Sequence, residues 1–94
     1  MVFQKSSKSE PEILKEDTLE ATVGHSKLIL ILRLIRQSGK YIVKSRVIGM
    51  YRDEDLPTVI QLMNIGGKWQ EFENKEEALK EYDELITIWK LQNL

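Results

Sequence analysis

The chain has no cysteine, so it can form neither a disulfide framework nor a thiolate metal site. It has one histidine, His25. A single imidazole without a thiolate cannot build a zinc site by itself, and no nucleophile stands in a recognisable relation to it. The N-terminus lacks the apolar core of a signal peptide, and the longest apolar run is far too short to span a bilayer. A cytoplasmic protein with no membrane partner is expected. Gly66-Gly67 is too short to cradle a phosphate, and no Lys-Ser/Thr follows it to complete a P-loop. The acidic run Asp53-Glu54-Asp55 lacks the alternating ligands and turn glycine of a calcium loop. Paired catalytic carboxylates and a Ser/His/Asp set are also missing. These absences argue against an enzyme and indicate no cofactor, metal or small-molecule substrate.

One further absence is local. Between His25 and Arg52 there is no Asp or Glu, while seven cations are present: Lys27, Arg33, Arg36, Lys40, Lys44, Arg46 and Arg52. The chain carries a net charge of −1, and that total hides a segregation. Residues 1–24 sum to −2, residues 25–52 to +7 and residues 53–94 to −6. Local potential steers a ligand more than the total does, so the basic segment is a candidate contact surface. Composition otherwise describes one ordinary globular domain, with 94 residues, 41% hydrophobic and 31% charged.

The basic segment also holds the densest aliphatic runs. Leu28 to Ile35 and Tyr41 to Tyr51 are rich in Ile, Val, Leu and Tyr, which suit a pleated surface, and Ser38-Gly39 between them is a short turn signal. A helix over Lys27 to Gln37, capped by Ser26, is the competing reading. It would be apolar almost all round, and the alternation of Ile and Leu is better explained by a strand. With Ser38-Gly39 as a two-residue loop, cross-strand partners have numbers summing to 77. One face then pairs Leu34 with Val43, Leu32 with Ser45 and Leu30 with Val47, and should face the core. The other pairs Ile35 with Ile42, Arg33 with Lys44, Ile31 with Arg46 and Ile29 with Ile48. Arg33 directly opposite Lys44 destabilises a sheet unless something negative offsets it.

Residues 1–20 read as a flexible N-terminal segment, polar and aperiodic over Met1 to Ser9, with a possible short helix over Glu10 to Glu20. Ser9 would cap that helix, and Pro11 would sit in its first turn. The folded domain is expected over residues 21–94. Arg52 to Pro57 reads as a loop, with Pro57 ending regular structure before it. Thr58 to Ile65 reads as a third strand, Gly66-Gly67 as a turn, and Lys68 to Glu73 as a short fourth strand. The clearest signal is C-terminal. Asn74 is an N-cap with Glu77 at the capping-box position. Ala78, Leu79, Tyr82, Leu85, Ile86 and Trp89 form one stripe of a helix from Lys75 to about Gln92.

The expected fold is α+β, an antiparallel β-meander of three to four strands with the long C-terminal amphipathic helix packed on one face. One helix covers one sheet face. The other face, mixed aliphatic and basic, is expected to be the interaction surface, with Arg33, Lys44, Arg46, Ile31 and Ile42 as its contact residues. The expected function is a small non-enzymatic interaction module that self-associates as a homodimer and binds a partner protein through this face. The alternative is a nucleic-acid-binding regulatory protein that uses the basic hairpin 25–52. Against that alternative, the cationic face is expected to carry no aromatic on which a base could stack, because Trp69 and Phe72 lie outside the hairpin.

Overall fold

The computed structural model describes residues 11–92. Four strands, β1 (Glu12–Val23), β2 (Ser26–Gln37), β3 (Lys40–Met50) and β4 (Lys68–Phe72), form one antiparallel sheet in the order β1-β2-β3-β4. A single 3-10 turn (Asp53–Asp55) and helix α1 (Leu56–Met63) connect β3 to β4, and helix α2 (Lys75–Gln92) ends the fold. The class is α+β, and the long C-terminal helix packs on the sheet as the periodicity of its apolar residues requires.

The β2–β3 hairpin has the expected register throughout, from Gln37 opposite Lys40 to Lys27 opposite Met50. Its loop is Ser38-Gly39, both with positive φ (55° and 78°). That geometry gives a two-residue turn the twist of the flanking strands. A slip of one residue would turn every leucine of β2 outward, so the pattern and the turn fix the same register. Leu28, Leu30, Leu32 and Leu34 are all buried, against Val43 on β3 and Ala78, Tyr82, Leu85 and Trp89 on α2. The N-terminus of α2 is capped as read, with the Glu77 backbone N–H donating to Asn74 Oδ1 at 2.9 Å.

Two segments differ from expectation. The helix expected over Glu10 to Glu20 is instead strand β1 over Glu12–Val23, paired with β2 from Glu12 opposite Arg36 to Val23 opposite Ser26. The domain boundary expected at residue 21 therefore falls inside a strand. A lone helix here would have buried only the thin stripe of Ile13, Leu14 and Leu19. As a strand the same segment sends Leu19, Ala21 and Val23 to the core, and a bulge at Leu14 lets that residue join them. The reading of Met1 to Ser9 as aperiodic lies outside the described residues.

The second correction is at Thr58 to Ile65, expected as a strand and found to fall largely within α1. Pro57 does not end structure here; it occupies the first turn of a helix, where its missing N–H costs nothing. Val59, Leu62 and Ile65 are buried while Ile60 and Met63 are exposed, a spacing of three that a strand could not bury on one face. The segment after α1 is tied to the sheet by Ser45. Its Oγ donates to the Ile65 carbonyl at 2.8 Å and accepts from the Lys68 backbone N–H at 3.2 Å, so this buried hydroxyl is satisfied on both sides.

Asp55, expected in a solvated acidic loop, ties two turns together. Its Oδ2 accepts from the His25 backbone N–H at 3.1 Å and from Ser26 Oγ at 2.7 Å. Ser26 Oγ in turn accepts from the Arg52 backbone N–H at 2.8 Å. The β1–β2 turn is thereby tied to the start of the β3–β4 connection.

Candidate interaction surface

Both helices contribute to the leucine-lined core, and among the described residues no helix covers the opposite face of the sheet. Because the register is known across all four strands, that outer face can be read row by row. Ile13, Ile35, Ile42 and Glu71 form one row; Glu16, Arg33, Lys44 and Trp69 the next. Thr18, Ile31 and Arg46 follow, then Glu20, Ile29 and Ile48, then Thr22, Lys27 and Met50. The face is acidic along β1, aliphatic and basic along β2 and β3, and aromatic at its β4 corner.

The like-charge pair Arg33–Lys44 lies where the sequence put it, and the chain itself offsets it on both sides. Arg33 Nε donates to Glu16 Oε2 at 2.6 Å, across the β1–β2 ladder. Lys44 Nζ lies over the Trp69 ring, 4.7 Å from its centroid. The flanking cations are also paired. Arg36 is hydrogen-bonded to Glu12, which raises the guanidinium above its ordinary range. Lys40 lies within 3.9 Å of Glu71 and 3.8 Å of Glu73. The +7 segment is thus bordered on both sides by the acids that neutralise much of it, and each such exposed pair contributes little to stability. Arg46 has no ion pair or hydrogen bond to its side chain among the described residues.

The five expected contact residues separate. Ile42 is only 4% exposed and Ile35 beside it 6%, so these two outer-face residues are covered by their neighbours and offer little contact surface. Arg33 is held by Glu16. Ile31, Lys44 and Arg46 reach a common groove of about 390 Å³ at the β4 end of the face, which Arg33, Lys68 and Trp69 also line. The groove exists because β4 begins at Lys68, opposite Ser45, so nothing pairs with β3 beside Arg46. At the other end of the face the aliphatic side chains are open: Ile48 is 41% exposed and Met50 81%.

The aromatic judged missing from this face is therefore present. Trp69 is 55% exposed, and its indole N–H donates to Glu71 Oε2 at 3.3 Å. Alternation within Lys68–Phe72 places Trp69 and Glu71 on one side and Gln70 and Phe72 on the other. Only the pairing of β4 with β3 decides that the Trp69 side is the cationic one.

Among the described residues, no three His, Asp or Glu side chains are placed to hold a metal ion, and no helix is long and apolar enough to cross a membrane. No protein-family model matches the chain, and comparison with curated proteins and with solved structures gives no match either.

Proposed function

We propose that the protein is a small non-enzymatic interaction module that self-associates through the outer face of its sheet. The observation that carries this reading is the uncovered aliphatic end of that face. Ile48 and Met50 are exposed on β3 beside the half-buried Ile29 and Ile31 of β2, and neither helix covers them. A contiguous apolar patch rimmed by charge is how interaction sites present themselves on small proteins. Arg46 and Lys27 supply the rim on the basic side, Glu20 and Glu16 on the acidic side. A face that is acidic along one edge strand and basic along an inner strand can complement a second copy of itself when the two-fold axis runs parallel to the strands. The acidic β1 of each copy then lies over the β3–β4 side of the other.

Light scattering at tens of micromolar protein should give about twice the chain mass of 11.0 kDa. Ile48→Glu should return the protein to monomer without unfolding it, since the side chain is already partly in water. A monomer at every concentration would remove this reading.

A further inference from the structure

We propose that the groove at the β4 end of the outer face is a binding site for an unpaired nucleic-acid strand, with Trp69 as the stacking platform and Lys44 and Arg46 as the phosphate contacts. The groove lies at the β4 end of the face and meets the Ile48–Met50 patch at Arg46, two residues from Ile48 along β3. A second copy lying over the β3–β4 side would cover the groove, so strand binding competes with self-association and is read separately on the monomeric Ile48→Glu protein.

Three features of the groove point to this ligand class. The first is the pairing of a large exposed ring with cations that lack acidic partners. Trp69 is more than half exposed, and Lys44 and Arg46 have no ion pair among the described residues. A core tryptophan would be buried, as Trp89 is. An isolated phosphate would need no ring, and an apolar ligand would need no cations. A strand with unstacked bases needs both, because backbone charge and base faces alternate along it.

The second feature is how the ring is occupied now. Lys44 Nζ sits over the indole. A base stacked on tryptophan is worth more than an exposed cation–π contact, so an arriving base displaces the ammonium and leaves Lys44 free for the phosphate beside it. The hydrogen bond from the indole N–H to Glu71 holds the ring edge in place while its face changes partner.

The third feature is shape. The groove is bounded by Ile31 and Arg33 on β2 and by Gly67 and Lys68 where β4 begins. Lys44 and Arg46 are successive outer-face residues of β3, about 7 Å apart, so the cations follow the strand direction instead of converging on one point. A linear anion is matched better than a compact one. A duplex hides the base faces that Trp69 would meet, so the site selects the unpaired form. Arg33, tied to Glu16, is not counted among the phosphate contacts.

The test is binding of labelled oligothymidylate followed by fluorescence anisotropy over a range of salt. Quenching of the exposed Trp69 in the unlabelled titration is the accompanying signal. Two phosphate contacts predict a slope of about −1.4 in log K against log salt. Trp69→Ala should weaken binding by about 5- to 150-fold, the range for loss of one stacked base. Arg46→Gln should flatten the slope by about 0.7. The Trp69 and Arg46 side chains are exposed, and an unchanged melting temperature will show that each variant folds. Ile48→Glu, freed of the second copy, should bind the oligonucleotide at least as tightly as the parent. The proposal is overturned if the single strand fails to bind at low salt, or if Trp69→Ala binds undiminished. A duplex of the same length bound as tightly, or inorganic polyphosphate or thymidine monophosphate bound as tightly as the strand, overturns it too.

Discussion

Replacing Tyr82 with Phe removes one oxygen atom, and the structure states what that oxygen does. Tyr82 is fully buried on α2, and its hydroxyl donates to Asp17 Oδ2 on β1 at 2.6 Å, with the Leu32 carbonyl of β2 a second acceptor at 3.3 Å. The contact joins the helix to the edge strand, elements 65 residues apart in sequence. A hydrogen bond to a charged group contributes about 1.5–3 kcal/mol. In a domain of this size each kcal/mol moves the melting temperature by about 4–8 °C, so Tyr82→Phe should melt about 6–24 °C below the parent at neutral pH. The alkaline limb gives a sharper check. Burial, then the hydrogen bond to Asp17 and repulsion from Asp17, Glu16 and Asp83, push the Tyr82 hydroxyl well above its ordinary pKa of 10.0. The folded state holds this proton where the unfolded chain has released it. The stabilisation is therefore complete below about pH 10 and declines above it, at about 1.4 kcal/mol per pH unit. The phenylalanine variant lacks this proton, so the stability gap between parent and variant should narrow by about 1.4 kcal/mol between neutral pH and pH 11. Urea unfolding at a series of pH values measures the gap directly. A gap that is absent at neutral pH, or constant from pH 8 to 11, would refute the role assigned to this hydroxyl.

Trp89→Ala should cost about 3–5 kcal/mol, a large share of a small domain's stability, because Trp89 is buried in the core and its indole N–H reaches the Glu20 carbonyl at 3.4 Å. An unchanged urea midpoint would show that the helix stripe does not anchor the sheet. Gly24→Ala and Gly39→Ala make a matched pair. Both glycines have positive φ (58° and 78°), but a Cβ at Gly24 would lie 2.2 Å from Asp55 Oδ1 while one at Gly39 meets nothing within 4 Å. The Gly39 change should cost about 1–2 kcal/mol of backbone strain. The Gly24 change should cost a further 1–3 kcal/mol or so, because it evicts the Asp55 carboxylate from Ser26 and His25. Equal losses in thermal melts would deny Asp55 its part in tying the two turns.

What the sequence determined by itself is short in range. The alternation of leucine and isoleucine over Leu28 to Ile35, followed by a two-residue Ser-Gly turn, was enough for the hairpin, its register and the inward face of Leu28, Leu30, Leu32 and Leu34. Asn74, Glu77 and the spacing of Ala78, Tyr82, Leu85 and Trp89 were enough for α2. In each case side-chain periodicity and the chemistry of a turn or cap act within a few residues and agree with one another. Tertiary structure decided the rest. Glu12–Val23 is a strand because β2 offers it a full ladder, a gain that does not exist for the segment alone. Thr58 to Ile65 carries residues that suit a strand; Leu56–Met63 is a helix because Val59 and Leu62 must reach the same core. Arg33 is neutralised by Glu16, and Trp69 stands beside Lys44, through pairings of β1 with β2 and of β3 with β4. Neither pairing leaves a trace in local sequence, because a strand's alternation says which side chains share a face and never which strand lies next to it.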